Sequence, residues 1–374
     1  MYTTDRTWAE IHLDRITHNY NLLRSLTPDD CRILAPVKAD AYGHGAVPVA
    51  RLLTDLGCDY VAVTCLSEAL ALRDNGISLP LLVFSYTNPS DAPLLADRDI
   101  TQTVFSLETA QAMSHALAGT GRTLSVHIEL DTGMGRLGFA ARGQEPADAL
   151  TAMRLPHLDI QGIFTHFPVA DDDDDPYTLG QMAYFAQAAD WLEGQWGQTF
   201  PLRHAANSGG TLRLPDTHLN MIRPGIALYG LSPNPAFLQA DDLQPAMELK
   251  TRIIQTRPFG KGESISYGRT YETVADQTIA VIPAGYADGL HRALSGRMEM
   301  LLHGQRVPQV GRICMDACML DVSAIEKLSV GDQVTIFGQD GGKTLSVDEH
   351  AALAGTISYE LLCAVSPRVP RLYL

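Results

Sequence analysis

Ile33-Leu34-Ala35-Pro36-Val37-Lys38-Ala39-Asp40-Ala41-Tyr42-Gly43-His44-Gly45 decides how this chain is to be read. Ile33 to Val37 form a short apolar run that stops at a lysine and polar residues, the pattern of a strand buried on both faces. A lysine at the end of such a strand has its stem held by apolar neighbours. Its amine is then poorly solvated, which favours the neutral form that acts as nucleophile or base. Gly43 and Gly45 leave the following loop free to bring its backbone close to a ligand. By spacing alone, a strand-end lysine is more often a solvated rim residue, so the rest of the chain has to decide.

Working outward, similar runs recur near 60–65, 80–84, 101–105, 124–130, 158–164, 202–206 and 218–222, which with 33–38 makes eight. Helical periods lie between them, at Ser67–Asn75 (stopped by Gly76), Leu107–Leu117 and Tyr177–Trp196. Eight alternating units predict an α/β chain whose first part is a (β/α)8 TIM barrel. Past residue 240 the pattern changes. AMELKTRIIQTRPF (246–259), QTIAVIPAGY (277–286), MEMLLHGQRVPQVGRICMDACML (298–320) and DQVTIFG (332–338) are β-rich and broken by Gly and Pro, with no long helical period before Asp348–Ala354. The expected organisation is a barrel over 1–240 and a mostly β C-terminal domain over 241–374, joined by a linker around Pro233–Gln244.

A barrel carries its site at the C-terminal ends of its strands, with phosphate often held after the seventh and eighth. Here those loops read Asn207-Ser208-Gly209-Gly210 and Arg223-Pro224-Gly225-Ile226. Both offer backbone N–H groups and Ser208 adds a hydroxyl, a set suited to a phosphate dianion, although two ordinary Gly-rich turns would look the same. Lys38, closing the first strand, lies beside them around the ring.

Composition narrows the classes. The 374 residues are 45% hydrophobic and 19% charged, as in a soluble globular protein, and no apolar stretch approaches membrane-spanning length. The start, MYTTDRTWAEIHLDRI, lacks the features of a secretory signal, so a cytoplasmic protein is expected. A net charge of −15 argues against nucleic-acid or anionic-membrane partners. The six cysteines have no framework spacing and read as reduced thiols. Cys314 and Cys318 lack the second Cys or His pair a metal site needs, and no metal is expected. Asp171–Asp175 reads as a solvated loop tip rather than a calcium loop, because the EF-hand spacing is missing.

PVKADAYGHG (36–45) is similar to the cofactor-lysine segment of a known family, and the likeness runs on through the chain. It includes DTGMGRLGF (131–139), FTHF (164–167), HAANSGGTL (204–212), IRPGIALYG (222–230), SYGRTY (266–271), IPAGYADGL (282–290), GRICMDACMLDV (311–322) and PRVPRLY (367–373). Together, in this order and spacing, they resemble the alanine racemases, pyridoxal 5'-phosphate enzymes that interconvert L- and D-alanine and commonly supply D-alanine for peptidoglycan.

The resemblance implies Lys38 as the Schiff-base lysine. It implies a phosphate cradle of Ser208, the backbone of Gly225 and Ile226, and the hydroxyls of Tyr42 and Tyr359, with Arg223 against the pyridine nitrogen. An arginine only donates, so that nitrogen would stay unprotonated and the ring would be a weaker electron sink than against a carboxylate. Lys38 and Tyr267 would serve the two faces of Cα, Tyr267 coming from the other subunit, so each site needs a homodimer. His166 would link Tyr267 to Arg223. Arg136 and the Met315 N–H would hold the substrate carboxylate. Tyr286 and Tyr359 would narrow the pocket, while Glu68, His204, Arg292 and Arg312 would line a polar access corridor.

One position departs from the commonest pattern. Where many family members carry a lysine that becomes carbamylated, this chain has Glu129, already negative, expected to anchor Arg136 directly or through water. The competing readings are a broader racemase of small amino acids, a related barrel decarboxylase and a single-domain cofactor carrier. Tyr359 suits a small pocket without excluding serine. Tyr267 and Arg223 weigh against the decarboxylase, and residues 240–374 weigh against the carrier.

Overall fold

The computed structural model describes residues 4, 6–172 and 176–374, so Asp173–Asp175 of the acidic run lie outside the described residues. The chain divides into two compact units, one of residues 16–41 and 46–244, the other of residues up to 15, 42–45 and 245–374.

The first unit is the expected barrel. Eight strands run β1 (Arg32–Pro36), β2 (Tyr60–Val63), β3 (Leu81–Val83), β4 (Thr101–Val104), β5 (Leu124–Asp131), β6 (Leu158–Phe164), β7 (Leu202–His204) and β8 (Met221–Ile222). Each is parallel to its neighbours in chain order, and Met221 and Ile222 of β8 pair with Arg32 and Ile33 of β1 to close the ring. Leu34, Ala62, Leu82, Leu202 and Met221, from five different strands, form one buried cluster, so this part of the interior is packed. Short as β8 is, the strands fall where the apolar runs put them, because a strand covered on both faces has no room for polar alternation. Leu66–Asp74, Leu107–Leu117 and Tyr177–Trp196 are helices within one residue of expectation, the last ending on Gly197 at φ 80°.

The second unit is a mostly antiparallel sheet in which strands Gln255–Phe259, Gln277–Ile282, Cys318–Asp321, Gln305–Val310, Glu299–Leu302, Gln333–Asp340 and Met247–Arg252 are successive neighbours. Thr7–Ile11 belongs to this sheet rather than to the barrel. It pairs antiparallel with Met247–Arg252 (Thr7 opposite Thr251) and parallel with Arg371–Tyr373. Trp8 and Ile11 are 1% and 0% exposed there, a burial the amino-terminal segment reaches only by pairing across more than 200 residues. A second helix, Ser358–Ala364, follows Val347–Ala354. Among the described residues no helix is long and apolar enough to cross a membrane.

Candidate active site

Lys38 leaves β1 into an unusual backbone. Ala39, Asp40 and Ala41 sit near φ 52–55° and ψ 47–51°, and Tyr42 follows at φ 53°, so four consecutive L-residues trace a left-handed turn. Each costs about 1–2 kcal/mol against the right-handed form, so the surroundings must hold the turn. The Ala41 N–H donates to Val37 O at 2.9 Å, and the Asp40 carboxylate accepts from the Ala46 N–H at 2.7 Å. Lys38 is half-buried at the head of this turn. The glycines that follow answer a different demand from the one expected. A Cβ on Gly43 would lie 2.4 Å from Leu362 O and one on Gly45 1.9 Å from the Tyr373 hydroxyl, so the close approach is to the protein's own second unit-forming residues.

Across the ring, Arg223 is 4% exposed. Its Nη2 donates to Thr165 O (2.8 Å) and Ala205 O (3.0 Å), while Nη1 lies 3.0 Å from His204 Nδ1. The guanidinium also lies 5.3 Å from the Phe164 ring centre. Burial, opposed by Glu129 and reinforced by Arg136, brings its pKa down to about 10, so it stays cationic at neutral pH. Because an arginine only donates, His204 Nδ1 must accept. His204 Nε2 then carries the proton and donates to His127 Nδ1, 2.8 Å away. His127 and His204 are both 0% exposed. Burial, then Arg223, pushes His127 down to about 3 and His204 well below the usual histidine range, so both are neutral supports. This corrects the corridor reading of His204: it lies inside the barrel, stacked on Phe164 at 4.8 Å, where no solvent reaches. His166 is half-buried, with Nδ1 at 3.5 Å from Arg223 Nη2, and burial followed by Arg223, Arg136 and Lys38 holds it down at about 3.

The loops after β7 and β8 meet at Ser208, whose Oγ accepts from the Ala227 N–H at 3.2 Å. Gly225 and Ile226 are buried, yet neither N–H meets a backbone acceptor among the described residues. Buried donors without acceptors beside a serine hydroxyl fit a phosphate, and Lys38 and cationic Arg223 complete a donor set that suits pyridoxal phosphate. Arg136 is exposed, on a turn organised by Asp131, whose Oδ1 accepts from the N–H groups of Gly133 (2.9 Å) and Gly135 (3.1 Å). Glu129 is 4% exposed, its Oε2 has no hydrogen-bond partner, and no ion pair joins it to Arg136 among the described residues. Burial raises its carboxyl to about 7, opposed by Arg136 and Arg223.

The second unit carries the other expected residues. Tyr42 is 7% exposed, its ring 6.1 Å from that of half-buried Tyr359, and burial pushes its phenol well up. Tyr267 (71% exposed), Met315 (52%) and Tyr286 (44%) stand open. Tyr267 heads a tight turn in which Gly268 is at φ 71°, and a Cβ there would meet Arg312 Nη1 at 2.9 Å. One functional support has no signature in the sequence. Asp288, 0% exposed, binds Arg6 (2.7 Å), Arg368 (2.9 Å) and the Gly285 N–H (2.9 Å), while Arg368 also pairs with Asp316 at 2.8 Å. The network ties down the loops bearing Tyr286 and Met315.

Known proteins resemble this chain along nearly its whole length. Residues 11–233 match the family described as alanine racemase, N-terminal domain, and residues 246–373 match alanine racemase, C-terminal domain. The chain is 44% identical to the alanine racemase of Methanococcus maripaludis, over 98% of both sequences, and 44% identical to that of Desulfovibrio desulfuricans, over 100% of both. Among solved structures it is similar to alanine racemase of Clostridium difficile (TM-score 0.93, 39% identity, 100% of this chain and 97% of that one). It is also similar to alanine racemase of Bacillus anthracis with bound L-Ala-P (TM-score 0.93, 37% identity, 100% and 96%).

Proposed function

The chain belongs to the alanine racemase family, and we propose that it interconverts L- and D-alanine with Lys38 and Tyr267 as the two proton-transfer groups. The observation that carries this reading is the buried Arg223. It is cationic, fixed by two carbonyls and His204, and shares the barrel rim with Lys38 and the N–H groups of Gly225 and Ile226.

Pyridoxal 5'-phosphate, when bound, supplies an electron-withdrawing ring that acidifies the substrate Cα–H. Ser208, Gly225, Ile226, Tyr42 and Tyr359 would hold its phosphate, and His166 would stand beside Arg223. Arg223 would donate to the ring nitrogen without protonating it, which would limit charge spread into the ring and favour quick return of a proton to Cα. The Lys38 amine takes or returns that proton on one face. The Tyr267 phenol of a partner subunit does so on the other, which makes the active unit a homodimer with shared sites. In a single chain Tyr267 is 71% exposed, as a residue awaiting such a partner would be. Arg136 and the Met315 N–H would fix the substrate carboxylate. Glu129, which feels the charges of both Arg136 and Arg223, would act on Arg136 through water. The expected setting is the cytoplasm, with D-alanine supplied for peptidoglycan.

Incubating the purified protein with L-alanine in deuterated water tests this. Deuterium entering Cα with loss of optical rotation and no carbon dioxide is expected. Carbon dioxide release would point to a decarboxylase, and no exchange to a cofactor carrier. Running L-serine in parallel reads the strictness of the pocket.

A further inference from the structure

Glu68, the third residue of helix Leu66–Asp74, spends both carboxylate oxygens on backbone. Oε2 accepts from the Thr64 N–H at 2.8 Å, just ahead of its own helix, and Oε1 accepts from the Ala39 N–H at 2.6 Å, 29 residues earlier. An acid serving only as a helix cap would keep to the N–H groups of its own helix. Here one oxygen reaches across from the end of β2 to the peptide that joins Lys38 to the first residue of the left-handed turn.

That peptide is where the chain changes hand. Val37 N–H is tied to Ala62 O at 2.8 Å as part of the ring, whereas Ala39 is exposed and already at φ 52°. Four L-residues will not hold a left-handed path on their own preferences. A fixed acceptor for the Ala39 N–H sets the plane of the Lys38–Ala39 peptide, and with it the direction in which the Lys38 side chain leaves the rim. Both partners are donors, so the clamp must be a carboxylate: an amide of the same shape accepts from one and presents N–H groups to the other.

We propose that Glu68 is a positioning residue for Lys38, bridging the ends of β1 and β2 so that the left-handed turn holds the lysine amine in its working place. This rests on the reading of Lys38 as the cofactor lysine. It gives Glu68 a role beside the expected corridor one, because each carboxylate oxygen is held by a backbone N–H.

The test uses the full chain carrying Glu68→Gln or Glu68→Asp, the first keeping size and losing charge, the second keeping charge and losing reach. Glu108→Gln is the control, because Glu108 is the matching first-turn acid of helix Leu107–Leu117 and makes no such bridge among the described residues. Three quantities are read: amide hydrogen exchange of the 38–46 peptide, the rate at which added pyridoxal 5'-phosphate is fixed on Lys38 by borohydride, and kcat and KM for alanine. In both Glu68 variants, exchange of that peptide should quicken about tenfold with the rest of the barrel unchanged. Capture and kcat should fall about tenfold, with KM within about twofold and Tm within about 3 °C. Exchange and capture equal to the wild type would overturn the proposal. So would loosening spread over the whole barrel with a large fall in Tm, which would mean that Glu68 merely supports the fold. If the wild type itself fixes no cofactor on Lys38, the underlying reading fails, whatever Glu68 does.

Discussion

The barrel rim and the β unit prepare their functional groups in opposite ways. On the rim, Arg223 is 4% exposed, with acceptors for both terminal nitrogens and a chain of neutral histidines behind it. In the β unit, Tyr267, Met315 and Tyr286 are 71%, 52% and 44% exposed, and what is buried is their support, Asp288 at 0%. A charge that must face a ligand without moving has to be desolvated and hydrogen-bonded inside the fold. A side chain that acts on another body, as proposed for Tyr267, has to be left uncovered. Mutations should therefore separate stability from activity differently in the two units.

The largest effect expected is at Lys38. Lys38→Ala should lower racemisation by about 10^4-fold or more and abolish the visible absorbance of the bound cofactor, measured by chiral assay and spectroscopy. Retained absorbance would remove the basis for the rim being the cofactor site. Tyr267→Phe comes next. Activity should fall by about 10^2- to 10^4-fold, more for one alanine enantiomer than the other, while stability stays within about 0.5 kcal/mol because the ring is exposed. A mild, symmetric loss would break the two-base reading.

Arg223→Met should show the reverse balance. It orphans the carbonyls of Thr165 and Ala205, each at about 1–3 kcal/mol, so urea unfolding should move by several kcal/mol along with the loss of activity.

The smallest and most specific effect concerns Glu129. Its folded pKa, about 7, lies above the ordinary 4.5, so the native state binds the extra proton between those values. The carboxyl therefore costs stability progressively as pH rises from about 4.5 to 7 and in full above that, by up to about 3 kcal/mol. Glu129→Gln should gain stability relative to the wild type at pH 8 but not at pH 4.5. His127 and His166 are held down near 3 and act in the opposite sense, costing stability as pH falls below 6.5. Only the difference between wild type and variant isolates Glu129. A constant difference across pH would show that the carboxyl is solvated or paired.

How far the sequence could be read depended on how local each cause was. The strands at 33–38 and 124–130 came within two residues of Arg32–Pro36 and Leu124–Asp131, because burial on both faces writes an unbroken apolar run. Thr7–Ile11 falls inside the expected barrel span 1–240 yet joins the β unit, since its role depends on Met247–Arg252, far along the chain. His204 looked like a corridor residue until the interior showed it under Arg223. Nothing in Lys38-Ala39-Asp40-Ala41-Tyr42 announces a left-handed turn. No local preference favours one, and the residues there with a local signal for unusual backbone are Gly43 and Gly45.

The order of apolar runs and the motifs spaced along them were enough to determine a barrel, a β unit and the family, because periodicity and residue chemistry are properties of the chain itself. Tertiary structure alone decided which histidines are neutral, that Glu129 makes no direct ion pair among the described residues, and which acceptors hold the turn after Lys38. Each of these depends on burial and on partners brought together from distant segments, and neither is encoded in any single stretch.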